Sequence, residues 1–116
     1  GPVYLDGLAR WHSTSKVLQD RKKLARDGFV IINISQDKIS GEFGTNPTVT
    51  TQGFVEDEEL TAILDGTRKL VVDIINSLDK PVDVGALKNL IRSALRKYYH
   101  QQTKRRPIII PVTLEK

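Results

Sequence analysis

Near residue 56 the hydrophobic period of this chain changes, and that switch restricts the possible folds more than any other feature. Upstream, FVIINIS at 29–35 is a run of β-branched and aromatic residues too short for a helix, which predicts a well-buried strand. TVTTQGFV at 48–55 predicts a second strand, antiparallel to the first, with Gly53 marking a bulge or a close backbone approach. The intervening DKISGEFGTNP (37–47) is turn chemistry throughout. Downstream, Leu60, Ile63, Leu64, Thr67, Val71, Ile74, Ile75 and Leu78 recur at helical spacing. The acids Glu56, Asp57, Glu58 and Glu59 stand at the start of this helix, where the peptide dipoles favour negative charge. After Pro81, Asp83 is positioned as an N-cap, and Leu87, Leu90, Ile91, Ala94, Leu95 and Tyr98 mark a second helix running to Thr103.

The closing segment alternates again, with Ile108, Ile110, Val112 and Leu114 on one face and Ile109 and Thr113 on the other. The element order is therefore β-β-α-α-β, which predicts an α+β two-layer sandwich: a three-stranded β-sheet with two α-helices on one face. The uncovered face is expected to carry Ile109 and Thr113, and an exposed apolar patch there makes these residues a candidate oligomer interface. Pro111 has no N–H to give, so its strand should lie at an edge or hold the proline where no ladder bond is needed.

Ahead of this unit, Ser13, Thr14 and Ser15 offer capping hydroxyls for a helix over 16–27. Val17, Leu18, Arg21, Leu24 and Ala25 form its stripe, and Gly28 suits the left-handed position that ends it. Gly1-Pro2 matches the remnant left when an affinity tag is removed by a picornavirus-type protease. Three segments are expected: that remnant at 1–2, a linker with a basic helix at 3–27, and an accessory domain at 28–116. The 116 residues have room for one core, and 39% hydrophobic with 28% charged residues fits a folded chain. No apolar run approaches the ~20 residues needed to cross a bilayer. Cysteine is absent, which excludes disulfides and thiolate metal sites and agrees with a cytoplasmic location.

Catalytic patterns are missing. His12 and His100 belong to no metal-spaced cluster, Ser13 and Ser15 lack a His-Asp context, and no phosphate-cradling glycine loop occurs. The consecutive acids at 56–59 point in different directions on a helix, so they complement its dipole rather than converge on a cation. The order of elements is also that of an RNA-binding KH module. Such a module needs a GxxG loop between its helices, where this chain has LDKPVDVG. The net charge of +4 permits a polyanionic partner without requiring one. Its cations gather in three groups, Arg21, Lys22 and Lys23, then Arg96 and Lys97 beside Tyr98 and Tyr99, then Lys104, Arg105 and Arg106, and these are the candidate RNA contacts. Lys104 to Arg106 also follow a helix end, where cations complement the dipole.

DRKKLARDGFVIINIS (20–35), TTQGFVEDEEL (50–60) and KRRPIIIPVTLEK (104–116), in this order and spacing, resemble the carboxy-terminal domain of bacterial ribonuclease J. The resemblance covers Asp20 to Lys116, and VYLDG at 3–7 is similar to the segment leaving that family's catalytic core. Where the family has a Gly-Asp-rich linker, this chain has ARWHSTSK. The resemblance implies a parent hydrolase of the metallo-β-lactamase/β-CASP type, using zinc or manganese to cleave RNA exonucleolytically from the 5′ end and endonucleolytically. It implies that the metal ligands lie upstream, so this fragment has no catalytic or metal residue and no cofactor of its own. It further implies a domain that supports oligomerisation and full activity, with the parent's catalytic domains and a second copy as partners, RNA met through the parent, and no membrane. The alternative is a stand-alone RNA-binding module that uses its basic helices.

Overall fold

The computed structural model describes residues 27–116, so the helix expected over 16–27 lies outside the described residues. Strands β1 (Phe29–Gln36), β2 (Thr48–Gln52) and β3 (Ile108–Glu115) and helices α1 (Asp57–Ser77) and α2 (Val84–Thr103) follow in the order β1-β2-α1-α2-β3. The sheet order is β2-β1-β3. β1 pairs antiparallel with β2 from Phe29 opposite Gln52 to Asn33 opposite Thr48, and parallel with β3 from Phe29 beside Ile108 to Gln36 beside Glu115. The predicted two-layer architecture is therefore present, with α1 and α2 on one face.

The inward face of β1 consists of Val30, Ile32 and Ile34, all completely buried against Ile63 and Val71 of α1 and Leu87, Ile91 and Leu95 of α2 within one core. Each such side chain gains about 1.5–3 kcal/mol on leaving water, and Ile32→Ala at the centre would cost about 2–5 kcal/mol once the cavity is included. The acids Asp57, Glu58 and Glu59 occupy the first turn of α1, and no side chain caps it, so the dipole is answered by charge alone. In α2 the expected cap is made: Asp83 Oδ1 accepts from Gly85 N–H at 3.1 Å. α2 ends at Lys104, whose backbone is left-handed (φ 61°) and whose N–H bonds to His100 O.

β2 stops at Gln52, three residues short of its expected end at 55, because Gly53 turns into positive φ (66°) and drops Phe54 into the core. The close approach expected there is with Gly28, itself at φ 76°. A Cβ on Gly28 would run into the Gln52 carbonyl and the Gly53 backbone. The β1–β2 loop is fastened by Asp37, whose Oδ1 accepts from the N–H groups of Ile39 and Ser40 at 2.8 Å each. Those two bonds hold the Asp37 carboxyl below its ordinary range.

The two faces of β3 are the reverse of the expected ones. Register places Ile109, Pro111 and Thr113 beside Val30, Ile32 and Ile34, and Ile109 packs on the core. The candidate interface residues Ile109 and Thr113 thus belong to the helix-covered side, and the open face carries Ile108, Ile110, Val112 and Leu114. The reason is parity: β3 opens with three isoleucines, apolar on both sides, so its buried side is set by register with β1, which buries Val30, Ile32 and Ile34 and leaves Asn33 and Ser35 on the other face. Pro111 sits as expected. Ile108 N–H donates to Gly28 O and Lys116 N–H to Gln36 O, so even-numbered residues of β3 donate to β1 and odd-numbered ones point to the free edge. Pro111 is odd, costs the ladder no bond, and removes a donor from the edge where another strand would add.

Candidate nucleic-acid and assembly surfaces

The three predicted cationic groups fare differently. Arg21, Lys22 and Lys23 lie outside the described residues. Arg96 and Lys97 are exposed on α2, and Lys104 is exposed at its left-handed end. Arg105 is committed to the protein itself: its guanidinium donates to Phe54 O at 2.6 Å, joining the end of α2 to the β2–α1 connection. Arg106 is held through its backbone, its N–H donating to Asp27 Oδ2 at 2.7 Å, which pins the entry to β1 beside the entry to β3. Thr103 prepares this corner, since its hydroxyl donates to Tyr99 O and accepts from Arg105 N–H. The run KRR is thus one exposed cation, one structural bracket and one anchored turn residue.

Two cations of the basic stretch from Lys88 to Arg106 that lie outside the three groups belong with Arg96. Lys88 and Arg92 precede it at four-residue steps, and His100 and Lys104 follow at the same step. The signal was the i, i+4 spacing, which puts neighbours on a helix ~6 Å apart. α2 contains no acidic residue. Among the described residues the salt bridges are Arg68–Asp65 and Lys80–Glu42, neither of which involves α2. Among the described residues, the partner side chain recorded within the stripe is that of Arg92, Asn89 Oδ1 at 2.9 Å.

The second surface is the open side of the sheet. Phe29 and Ile31 of β1 lie beside Ile108 and Ile110 of β3, and Val112 and Leu114 continue the row. Thr48, Thr50 and Gln52 of β2 border it with polar side chains. Neither α1 nor α2 covers these residues.

Between the two helices lies a buried polar contact that anchors the core rather than a reaction. Thr67 Oγ1 donates to Ile63 O at 2.7 Å, which leaves the Tyr99 hydroxyl to donate to Thr67 Oγ1 at 2.8 Å. Tyr99 is fully buried, edge-on to Phe54 with ring centroids 4.7 Å apart, and burial pushes its phenol above the ordinary value of 10.0. The expected apolar stripe of α2 ended on Tyr98, but Tyr99 fills the core, and the half-buried Tyr98 brings its hydroxyl against Gly66 of α1.

Chemistry has little to work with. Among the described residues no three His, Cys, Asp or Glu side chains gather into a group that could hold a metal ion. A groove of about 670 Å³ opens beside the β1–β2 loop, lined in part by Phe43, Ile75, Leu78 and Pro81. Its ionisable residues, Glu42 and Lys80, are exposed and paired with each other at 2.6 Å. No described helix is long and apolar enough to cross a membrane.

The comparisons with known proteins agree with this picture. The family model of the ribonuclease J C-terminal domain matches residues 16–116. The chain belongs to that family. It is 32% identical over 117 residues to ribonuclease J2 of Bacillus subtilis, covering 99% of this chain and 21% of that protein. Ribonuclease J 2 of Streptococcus pyogenes is 38% identical over 115 residues, covering 97% of this chain and 21% of the relative. Ribonuclease J 2 of Staphylococcus saprophyticus is 32% identical over 117 residues, again across 99% of this chain and 21% of the relative. The chain therefore spans about one fifth of the length of these relatives.

Proposed function

We propose that this chain is a non-catalytic accessory domain of a ribonuclease J, acting in the cytoplasm, that helps the parent enzyme assemble and reach full activity. Hydrolysis of RNA, exonucleolytic from the 5′ end and endonucleolytic, belongs in this reading to upstream metallo-β-lactamase and β-CASP domains. The zinc or manganese of such a parent does not fit the described residues, which bring no three ligand side chains together. No step of metal chemistry is assigned to them.

The observation that carries the assembly role is the open sheet face. Phe29, Ile31, Ile108, Ile110 and Val112 form a contiguous apolar row, while Pro111 blunts the neighbouring edge, so association through the face is favoured over strand addition. The partner is a second copy of this domain, seated face to face. Two eight-residue strands and one of five residues give a footprint of at most roughly 26 Å by 14 Å. That is under half of the ~800 Å² each partner buries in a standard interface, so the isolated domain should associate weakly and depend on its parent for avidity.

The test uses two substitutions on one strand. Ile110→Glu places a charge on the open face and should abolish self-association while the far-UV circular dichroism stays native. Ile109→Glu places it in the helix-covered core and should unfold the domain. If the Ile110→Glu protein associates as the unsubstituted chain does, the face is not the interface and the reading fails.

A further inference from the structure

The cations of α2 are more regular than a solvated helix face requires. An exposed helix normally mixes signs, because opposite charges four apart add about 0.2–0.5 kcal/mol per pair and like charges remove a similar amount. Here Lys88–Arg92 and Arg92–Arg96 are like-charged pairs at that spacing, with no acid anywhere on the helix to relieve them. The fold does not need them. α2 is held by Leu87, Ile91, Leu95 and Tyr99, and capped by Asp83 and Lys104. A like-charged row that costs local helix stability is a mark of a surface kept for a partner.

The chemistry of the row selects that partner. Its members repeat every ~6 Å along the helix, a step close to the separation of neighbouring phosphates in a nucleic-acid strand. The positions between them add neutral donors, Asn89 and Ser93, and no large apolar side chain interrupts Lys88, Arg92, Arg96, His100 and Lys104. A protein partner would be expected to meet an apolar centre with a polar rim. A row of cations and amides with no such centre suits a phosphate backbone, where contacts position the strand without reading its bases.

We propose that the α2 row Lys88–Arg92–Arg96–His100–Lys104 is a track for the phosphate backbone of RNA. The choice of RNA among polyanions rests on the ribonuclease J reading above. The row spans about 24 Å and winds around the helix by about 40° at each four-residue step, which accommodates several consecutive phosphates, and it lies on the helical layer, away from the open sheet face. Arg105 takes no part, because its guanidinium is bound to Phe54 O. The domain would thus hold RNA on one side while it assembles through the other, guiding the strand without cutting it.

The experiment titrates the 116-residue chain into a labelled single-stranded oligoribonucleotide longer than the row and follows anisotropy from about 50 to 200 mM salt. Lys88→Gln/Arg92→Gln/Arg96→Gln is compared with Lys38→Gln/Arg68→Gln/Lys69→Gln, which removes the same charge elsewhere. The α2 triple variant should bind at least tenfold more weakly at the lowest salt. The slope of log affinity against log salt should fall by about 2, since each single-strand phosphate contact contributes ~0.7. The control triple should change affinity less than twofold, and Arg96→Gln alone should lower the slope by about 0.7. Equal weakening by both triples, native affinity in the α2 triple, or no binding by the unsubstituted chain would each overturn the proposal. Displacement of RNA by polyglutamate at equal charge would also overturn it, pointing to an acidic protein surface instead. Sedimentation of the same variants separates this inference from the assembly reading: the α2 triple should self-associate as the unsubstituted chain does, whichever way it binds RNA.

Discussion

Replacing Thr67 by valine should destabilise this domain more than replacing Tyr99 by phenylalanine, although both break the same hydrogen bond. The asymmetry follows from who donates. Thr67 Oγ1 gives its proton to Ile63 O, so the bond between the side chains is donated by Tyr99. Removing the tyrosine hydroxyl leaves Thr67 still bonded to Ile63, and the loss is one net hydrogen bond, about 0.5–1.5 kcal/mol. Removing the threonine hydroxyl leaves a fully buried phenol with a donor and nothing to receive it, which costs about 1–3 kcal/mol. The double variant has neither group, so it should be more stable than Thr67→Val alone, a non-additivity of about 1 kcal/mol. Urea unfolding followed at 222 nm gives all four corners, and each kcal/mol corresponds to roughly 4–8 °C in Tm for a domain of this size. Alkaline pH supplies an independent check. Burial raises the folded-state pKa of Tyr99, so its contribution is complete below pH 10.0 and is lost as pH rises beyond it. The Tyr99→Phe protein should lack that part of the alkaline decline. A Tyr99→Phe cost equal to or above that of Thr67→Val, or strict additivity in the double variant, would refute the donor assignment.

Gly28→Ala should cost about 2 kcal/mol or more, since a positive φ combines with a backbone obstruction at Gln52 and Gly53 that no side-chain motion relieves; thermal unfolding measures it. Gly66→Ala sets a helix-propensity gain of about 1 kcal/mol against a clash with the Tyr98 hydroxyl. Because Cζ of the Tyr98 ring also stands 2.6 Å from that added Cβ, Gly66→Ala should stabilise the protein only in a Tyr98→Ala background, as paired urea titrations will show. Arg105→Ala removes a charge-assisted bond to Phe54 O and should lower stability by about 1–2 kcal/mol, yet leave RNA affinity within twofold by anisotropy.

Much of this architecture was legible because each element announces itself locally. The period change at residue 56 separates the first two strands from the helices, Asp83 marks a cap that forms, and Pro111 identifies an edge strand whose proline faces away from the ladder. What escaped was whatever depended on a neighbour. Alternation divides β3 into two faces but does not say which is inside; that is set by register with β1, whose Val30, Ile32 and Ile34 pack into the core. Tyr98 and Tyr99 are adjacent and chemically alike, and the contacts of Tyr99 with Thr67 and Phe54 assign it to the core. Gly53 signalled a close approach, but its partner Gly28 stands far away in sequence. The KRR run looked uniform because composition counts charges and not bonds. The Phe54 carbonyl claims Arg105, while spacing along α2 brings in Lys88 and Arg92 instead.

The proposed assembly runs through the sheet face that neither α1 nor α2 covers. Sedimentation equilibrium of the 116-residue chain, from micromolar to near-millimolar concentration, tests it most directly. The expected result is a reversible monomer–dimer equilibrium that Ile110→Glu shifts wholly to monomer and Lys88→Gln/Arg92→Gln/Arg96→Gln leaves unchanged. A strict monomer across that range, or a dimer indifferent to Ile110→Glu, would contradict it.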